Sequence, residues 1–180
     1  MRITAGEFRS RNIHVPDIVG LRPTASRARE AMFNILGDVE GWKMLDLFSG
    51  SGVMAVEALS RGAESVISIE QHPKACHAMR AVAEQLGIQH RWQILQASLP
   101  QALQRLPVTS FDMVFADPPY HDGFSDKIPS WLELSSIQTP RLIIEEASRA
   151  QPAWPSTWEA SARKYGDTTL YFCTPIVTQA

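Results

Sequence analysis

The sequence predicts an α/β protein built on a doubly wound, mostly parallel sheet. From residue 24 to residue 144, short apolar runs that suit strands alternate with helical patterns, which is typical of parallel sheets covered by helices on both faces. After Pro155 the spacing shortens to two strand-like runs, 157–163 and 169–173, joined through Gly166. These two runs predict an antiparallel hairpin at the end of the sheet.

The first half of the chain begins irregularly and then alternates. Pro16 and Gly20 break any helix, so residues 1–20 predict short strands and turns. Thr24 is a suitable N-cap for a helix with one apolar stripe that ends near Gly37. Glycines and prolines mark the ends of the next elements, which are predicted as a strand at 44–48, a helix at 53–61, a strand at 65–69 and a helix at 73–86.

The second half continues the alternation as far as the hairpin. The predicted elements are a strand at 92–95, a short helix at 99–106, a strand at 111–116, a helix at 124–134 and a strand at 142–144. We therefore predict one compact unit in two parts. An N-terminal basic extension with its helix, residues 1–37, precedes a main domain, residues 38–180.

The bulk composition is that of an ordinary globular protein. Of the 180 residues, 44% are hydrophobic and 20% are charged, which suits a single domain with its own core. No apolar run approaches the ~20 residues of a membrane span, and the N-terminus lacks the hydrophobic stretch of a signal peptide. Cys76 and Cys173 lack metal-ligand spacing, as do His72 and His77. These observations predict a cytoplasmic protein without a membrane segment or a metal ion, and a monomer is the default expectation.

The tetrapeptide Asp117-Pro118-Pro119-Tyr120 directly follows a predicted buried strand. The two prolines restrict the backbone, so the carbonyls of Asp117 and Pro118 are rigidly aimed. The Asp117 carboxylate can accept hydrogen bonds from an exocyclic NH2 group, and Tyr120 offers a stacking face. The tetrapeptide therefore suits a pocket for a flat heteroaromatic amine, although an ordinary proline turn after a strand is the plainer interpretation.

A glycine-rich loop follows the first predicted strand of the main domain. Residues 46–52 read Asp-Leu-Phe-Ser-Gly-Ser-Gly, and open α/β sheets bind ligands at the carboxyl ends of their strands. The loop has no third glycine at Ala55 and no Gly-Lys-Ser/Thr motif, so it matches neither dinucleotide nor phosphate loops. Glu70 ends the second strand, where an acid in this architecture binds ribose hydroxyls. The sequence thus predicts a site for a nucleoside that carries no pyrophosphate, next to a pocket for an amine. This combination indicates S-adenosylmethionine as the ligand.

Positive charge is concentrated near the N-terminus. The net charge is −2, but residues 1–30 hold six arginines and three acids, a net charge of +3. Arginine binds phosphate in bidentate fashion, so this segment suits a contact with nucleic acid; a solvated charged face is the alternative. The excess is modest for a polyanion binder. If the partner is RNA, other proteins or tertiary structure would help to present it.

Taken in chain order, these segments resemble the RsmD-type 16S ribosomal RNA (guanine-966-N2) methyltransferase family over nearly the whole chain. The resemblance rests on 2–6, Val15-Pro16, 21–24, 27–30 with Phe33-Asn34, 46–52, 57–63, Glu70 and 117–120. The helix entry Arg22-Pro23-Thr24 is the specific part, since the other motifs occur in many amino-methyltransferases. The resemblance implies a Rossmann-like class I S-adenosylmethionine-dependent methyltransferase with a seven-stranded sheet, which leaves S-adenosylhomocysteine as a product.

The resemblance also implies which residues form the site. The predicted catalytic residues are Asp117, Pro118, Pro119 and Tyr120. The predicted donor-binding residues are Asp46, Phe48, Ser49, Gly50, Gly52, Glu70, Gln71, Ala97 and Ser98. The predicted RNA contacts are Arg2, Arg9, Arg11, Arg22, Thr24, Arg27 and Arg29.

Two positions depart from the family pattern. Ala97 stands where many relatives carry an Asp or Asn that contacts the adenine, and Gln71-His72 stands where many carry another acid. Adenine recognition is then expected from backbone amides and Ser98. Neither departure removes the tetrapeptide at 117–120.

The predicted reaction is in-line methyl transfer to the N2 amino group of a guanine in 16S ribosomal RNA, on the assembled or assembling small subunit. Related tetrapeptides also serve methyltransferases of other RNAs, of DNA adenine and of protein glutamine, and these alternatives stay open. A non-catalytic RNA-binding assembly factor is an alternative of another class, which Ala97 supports. A nicotinamide-dependent dehydrogenase fits less well because the loop lacks the pyrophosphate glycines.

Overall fold

The computed structural model of the chain describes residues 1–13, 26–119 and 123–176. Its elements, in chain order, are α1 (Ser26–Leu36), β1 (Lys43–Leu47), α2 (Val53–Ser60), β2 (Ser65–Glu70), α3 (Pro73–Leu86), β3 (Trp92–Gln96), a 3₁₀ helix (Gln101–Arg105), β4 (Met113–Ala116), α4 (Ile128–Leu134), β5 (Leu142–Ala147), β6 (Trp158–Tyr165) and β7 (Thr168–Pro175). The predicted turns at 14–20, the Thr24 cap, Arg22 and Tyr120 lie outside the described residues.

The strands form one seven-stranded sheet in the order β3-β2-β1-β4-β5-β7-β6. The first five strands in this order pair in parallel, and β7 pairs antiparallel with both β5 and β6. The predicted doubly wound sheet is therefore confirmed, and so is the hairpin, which turns at Gly166 and Asp167 between β6 and β7.

Side chains of the central strands alternate between two helical layers. On one face, Met44 and Val66 pack with α1, α2 and α3. On the other face, Leu45 and Ile67 pack with α4 and the 3₁₀ helix. This alternation follows from the pleat of the strands, whose successive side chains point to opposite faces.

Two helices of the structure are shorter than the sequence predicts. The helix predicted at 124–134 begins only at Ile128, because residues 124–127 form a turn and Pro129 occupies the first helical turn, where its missing N–H costs nothing. The helix predicted at 99–106 is instead a 3₁₀ helix, Gln101–Arg105. In contrast, the helix predicted at 73–86 is confirmed at both ends, with Gly87 as its C-cap.

The N-terminal segment packs onto the same core as the sheet. Arg2 and Asn12 form an antiparallel bridge, and Ile3, Phe8 and Ile13 are buried against the layer that holds α1 and α2. Since α2 runs back from the carboxyl edge of the sheet, its last residue, Ser60, lies toward the opposite edge. None of the described helices is long and apolar enough to cross a membrane.

Candidate active site at the carboxyl edge of the sheet

Four strand ends bring the predicted site residues to one edge of the sheet. Leu47 of β1 lies beside Ile69 of β2 and Ala116 of β4, and Glu70 lies beside Gln96 of β3. The segments that follow these strands therefore lie next to one another, and they are 48–52, 70–71, 97–98 and 117–119. The chain reverses its strand order between β1 and β4, which is where open α/β sheets bind ligands.

The loop after β1 is a tight turn fixed to the neighbouring strand. The Ser49 amide donates to the Ile69 carbonyl at 3.0 Å, and the Gly52 amide donates to the Ser49 carbonyl at 2.8 Å. Phe48 has a φ of 58°, which is strained for a bulky residue and persists only where its surroundings enforce it. Such strain is typical of a functional site.

Gly52 is required by packing beneath the loop. It has a φ of 72°, and a Cβ built there would lie 2.6 Å from Trp92 Cζ2 and 2.8 Å from Met79 Cγ. Trp92 and Met79 are both buried. The glycine therefore has a packing reason, because the backbone must pass close to β3 and α3.

Asp46 supports the loop from inside the protein. Asp46 is only 3% exposed. Its Oδ2 accepts a hydrogen bond from Ser68 Oγ at 3.2 Å. Trp92 Nε1 in turn donates to Ser68 Oγ at 2.9 Å. Burial raises the pKa of Asp46 to about 7, while hydrogen bonds from Ser49 and Ser68 oppose the rise and the nearby Glu70 adds to it. A direct contact of Asp46 with a donor stays a prediction.

Glu70 faces the loop with both carboxylate oxygens fixed. Oε2 accepts from the Gly50 amide at 2.8 Å, and Oε1 accepts from the His72 amide at 2.7 Å. A carboxylate offers about four acceptor positions, so these two bonds leave acceptor capacity for ligand hydroxyls. The carboxylate is thus oriented before any ligand arrives.

The end of β3 offers fewer free hydrogen-bond donors for a ligand than the sequence predicts. The Ala97 amide donates to the Glu70 carbonyl at 3.0 Å and is therefore already used within the sheet. Adenine recognition by backbone amides and Ser98 stays a prediction, but the Ala97 amide is not a free donor for it in this conformation. Ser98 and Gln71 are exposed beside it, with Ser98 Oγ 3.4 Å from Gln71 Oε1, so both side chains are accessible to a ligand and their contacts with a donor stay predictions.

Asp117 follows β4 directly beside the loop after β1. Its amide lies 3.4 Å from the Leu47 carbonyl. Asp117 is half-buried, Pro118 is buried and Pro119 is exposed, so the turn forms part of the crevice wall. Tyr120, predicted to stack on the substrate, lies outside the described residues.

An aromatic row beside this turn was missed by the sequence reasoning. The Phe124 ring lies 5.4 Å from the Phe48 ring and 5.7 Å from the Trp131 ring, centroid to centroid. Phe124 had been assigned to a helix, where its ring would be ordinary core. Its position soon after the tetrapeptide was the available signal for a place at the site.

The predicted RNA contacts divide into exposed and buried arginines. Arg2, Arg9, Arg11 and Arg27 are exposed, as an RNA contact requires. Arg29 is fully buried; its Nη2 donates to the Arg2 carbonyl at 3.0 Å and its Nε lies 3.3 Å from Glu57 Oε2. The prediction that Arg29 contacts RNA is therefore wrong, because its guanidinium is sealed in the interface between α1 and α2.

A family model described as "Conserved hypothetical protein 95" matches residues 1–174 of the chain. Among similar sequences, the ribosomal RNA small subunit methyltransferase D of Escherichia coli K12 is 31% identical over 182 residues, covering 95% of this chain and 87% of the relative. The protein of that name from Haemophilus influenzae is 33% identical and covers 88% of this chain and 84% of the relative.

Solved structures resemble the whole chain as well. The "putative methyltransferase yhhF" from Escherichia coli superposes with a TM-score of 0.82 at 26% identity and covers 99% of both chains. The "putative methylase HI0767" from Haemophilus influenzae gives a TM-score of 0.81 at 25% identity and covers 98% of both. The fold is that of the class I methyltransferases, as the resemblance implied.

Proposed function

Because the chain belongs to the family described as Conserved hypothetical protein 95, which matches residues 1–174, we propose that it methylates the N2 amino group of a guanine in 16S ribosomal RNA. Relatives about as long as this chain are named ribosomal RNA small subunit methyltransferase D. That name supports ribosomal RNA of the small subunit as the substrate. S-adenosylmethionine is the proposed donor, and it supplies a methyl group activated by a sulfonium.

The observation that carries the proposal is the juxtaposition of two motifs at the β1–β4 switch. The glycine loop and the turn Asp117-Pro118-Pro119 follow strands that pair directly, Leu47 beside Ala116. A donor held by the loop therefore lies next to groups that can hold an amine. Dehydrogenases need no such amine pocket, so the arrangement favours transfer to an exocyclic NH2 group.

The residues of the crevice fit a nucleoside donor. The fixed carboxylate of Glu70 retains acceptor capacity for the two ribose hydroxyls. Ser98 stands at the end of β3, where the adenine would lie. The loop brings backbone amides close to the crevice with no bulky side chain at Gly50.

Asp117 and the Pro118 carbonyl are proposed to orient the guanine amine. The nitrogen is a poor nucleophile because its lone pair is delocalised into the ring. Hydrogen bonds from the NH2 group to these two acceptors favour a lone pair aimed at the methyl group, and such positioning accounts for much of the rate. Tyr120 would stack on the base once it is turned out of its surroundings. As the bond between N2 and the methyl carbon forms, the methyl–sulfur bond of the donor would break, its electron pair would stay on the sulfur of S-adenosylhomocysteine, and the nitrogen would lose one proton, to Asp117 or to water.

Exposed arginines are proposed to hold the RNA backbone. Arg2, Arg9, Arg11 and Arg27 are available for phosphates, and the resemblance adds Arg22 and Thr24 near the pocket. Because the positive excess is small, a particle in which ribosomal proteins present the RNA is the better substrate than naked RNA.

The test is transfer of labelled methyl groups to unmodified small subunits and to naked 16S RNA, with identification of the modified nucleoside. N2-methylguanosine, formed mainly on the subunit, is the expected product. Methylated adenosine or labelled protein would redirect the proposal to the other amino-methyltransferase classes. RNA binding without S-adenosylmethionine binding and without any transfer would favour the non-catalytic assembly factor.

A variant pair ties the reaction to the tetrapeptide. Asp117→Ala is expected to lower turnover by about 100-fold or more, because an acceptor aimed at the amine is lost, while S-adenosylmethionine binding, measured by calorimetry, stays close to that of the wild type. Asp167→Ala removes an exposed carboxylate in the hairpin turn and is expected to change neither quantity. Near-normal turnover of Asp117→Ala would refute the role.

A further inference from the structure

A buried polar cluster joins three parts of the chain that the crevice does not explain. Its members, here called the Glu57 cluster, are Thr4 and Ala5 of the N-terminal segment, Arg29 of α1, Glu57 of α2 and Arg61, the C-cap that follows α2. The Glu57 and Arg29 side chains are fully buried, and that of Arg61 is 15% exposed. The segments 2–6, 27–30 and 57–63 carry part of the family resemblance, and Glu57 itself has no role in the site described above.

The Glu57 carboxylate contacts each of the other members, Arg29 as an ion pair and the rest through hydrogen bonds. Its Oε2 accepts from the Thr4 amide at 3.1 Å and lies 3.3 Å from Arg29 Nε. Its Oε1 accepts from the Ala5 amide at 3.2 Å, from Arg61 Nε at 3.0 Å and from the Thr4 hydroxyl. One carboxylate thereby fixes the backbone of the N-terminal segment to two helices.

The arginines extend the attachment beyond Glu57. Arg61 Nη2 donates to Thr4 Oγ1 at 3.0 Å, and Arg29 Nη2 donates to the Arg2 carbonyl at 3.0 Å. Burial lowers the pKa of Arg29, and the Glu57 carboxylate opposes this by favouring the charged form. Removing the carboxylate would leave the buried Arg29 without its counter-charge, which is far more costly than losing a surface ion pair.

A second set of contacts docks the same segment at the end of α2. Ser60 Oγ donates to the Ala5 carbonyl at 2.6 Å and accepts from the Phe8 amide at 2.9 Å. The Glu7 amide donates to the Ser60 carbonyl at 2.7 Å. Gly6 has a φ of 79°, and a Cβ there would lie only 1.7 Å from the Ser60 carbonyl oxygen, so no side chain fits between the segment and the helix.

The helix that receives the segment is also the helix that begins at the donor loop. Gly52 is the N-cap of α2, while Glu57 lies one turn further along. The segment held by Glu57 carries the exposed Arg2, Arg9 and Arg11. The cluster is therefore the fixed link between the loop proposed to hold the donor and the arginines proposed to hold the RNA.

We propose that Glu57 is a positioning residue for the RNA substrate: it touches neither donor nor RNA, but it sets where the N-terminal arginines stand relative to the reacting amine. This rests on the proposed function. If the docked arrangement is the binding-competent one, the apparent affinity for RNA falls in proportion to the fraction of molecules that remain docked. The proposed donor site lies at the opposite end of α2, so we expect its contacts with S-adenosylmethionine to be unchanged.

The test compares Glu57→Gln with the wild type, using small subunits as substrate. If Glu57→Gln leaves the N-terminal segment docked in roughly one tenth of the molecules, KM for the subunit is expected to rise about tenfold. The kcat and the Kd of S-adenosylmethionine are expected to change little. Glu64→Gln, which removes an exposed carboxylate paired with the exposed Lys43, is the matched control and should change none of them. An unchanged KM with only a lower melting temperature would mean that Glu57 is merely structural, and would overturn the proposal.

A double-mutant cycle separates positioning from general damage. In an Arg9→Ala/Arg11→Ala background, Glu57→Gln is expected to add little to KM, because its effect passes through those arginines; full additivity would overturn the proposal. If Glu57→Gln does not fold, Gly6→Ala decides, with Gly41→Ala as control, since Gly41 has a similar φ and open space around it. A wild-type protein that methylates no RNA overturns the proposed function itself, whereas an active wild type with an unaffected Glu57 variant overturns this inference alone.

Discussion

At the scale of single residues, Glu70 of the candidate site has its carboxylate held in place by the protein's own backbone. Two backbone amides, from Gly50 and His72, hold its two oxygens at 2.8 and 2.7 Å. Long acidic side chains lose rotamer freedom when they bind, and that cost is avoided where the rotamer is already fixed. Glu70 therefore suits recognition of a diol better than an exposed glutamate in the same place would.

Asp46 leads to a prediction about pH. Because burial raises its folded pKa to about 7 from 3.8, the folded protein binds this proton more tightly than the unfolded chain does. The stability that the protonated form contributes is complete below about pH 4 and is lost as pH rises through about 7. Asp46→Asn mimics the protonated form, so it is expected to exceed the wild type in unfolding free energy at pH 8, by about 1–4 kcal/mol, with a much smaller gain at pH 5.

Urea unfolding of both proteins at pH 5 and pH 8 measures this difference. The Ser68 hydroxyl, which donates to Asp46 Oδ2, can still donate to the asparagine oxygen, so the change removes charge and preserves shape. A difference between the two proteins that is equal at pH 5 and pH 8 would show that Asp46 does not titrate in this range.

The residues of the site could be predicted where a backbone motif defines them, and not where a distant partner does. Asp117, Glu70 and the glycine loop follow strands, so parallel pairing alone brings them together. Arg29 was misassigned because a charge pattern does not reveal burial. Its burial depends on Glu57, 28 positions away in the chain, and such a pairing is visible only after α1 and α2 have packed.

At the scale of elements, Gly52 governs how the loop at 48–52, proposed to hold the donor, sits on β3 and α3. Gly52→Ala is expected to lower the free energy of unfolding by about 2–4 kcal/mol, since the new methyl group overlaps Trp92 and Met79 and the residue keeps a positive φ. We also expect weaker S-adenosylmethionine binding, because the loop must move to relieve the overlap. Chemical unfolding and calorimetry measure the two effects.

Gly87→Ala is the control that isolates backbone strain. Gly87 also has a φ of 72°, but no atom lies within 4 Å of a Cβ built there. Its substitution is expected to cost only the strain of the left-handed conformation, about 1 kcal/mol, and to leave donor binding intact. Equal losses in the two variants would mean that packing beneath the loop contributes nothing.

The elements themselves follow from local signals to different degrees. The helix α3 was predicted at both ends because Pro73 and Gly87 act through local backbone geometry. Apolar spacing could not separate the turn at 124–127 from the start of α4, nor a 3₁₀ helix from an α-helix at 101–105. In these places tertiary packing and the short length of the segment decide the hydrogen-bond pattern.

At the scale of the whole molecule, the proposed donor contacts and the proposed RNA contacts lie near opposite ends of helix α2. The donor loop precedes Val53, whereas the N-terminal segment is docked at Ser60, the far end of α2. An eight-residue helix is about 12 Å long, so the substrate must extend at least that far along the protein surface. A folded ribosomal RNA in a particle has such extent, and an isolated nucleoside does not.

This separation predicts that the arginines of the N-terminal segment act on RNA affinity alone. Arg9→Ala/Arg11→Ala is expected to weaken binding to small subunits and to reduce the slope of log affinity against log salt concentration by about 1.4–1.8, the value for two lost phosphate contacts. The S-adenosylmethionine Kd should stay unchanged, because neither arginine lies at the carboxyl edge. Titrations at several salt concentrations measure the slope.

The hairpin at the far edge of the sheet supplies the control for net charge. Arg163 and Lys164 are exposed on β6, and Arg163→Ala/Lys164→Ala removes the same two positive charges. If the RNA contact is localised at the N-terminal segment, this pair keeps the wild-type slope. Equal loss in both pairs would show that overall charge alone governs binding, and no loss in either would remove the N-terminal segment from the RNA interface. Only a loss confined to Arg9 and Arg11 agrees with an RNA that spans the molecule from Ser60 to the crevice.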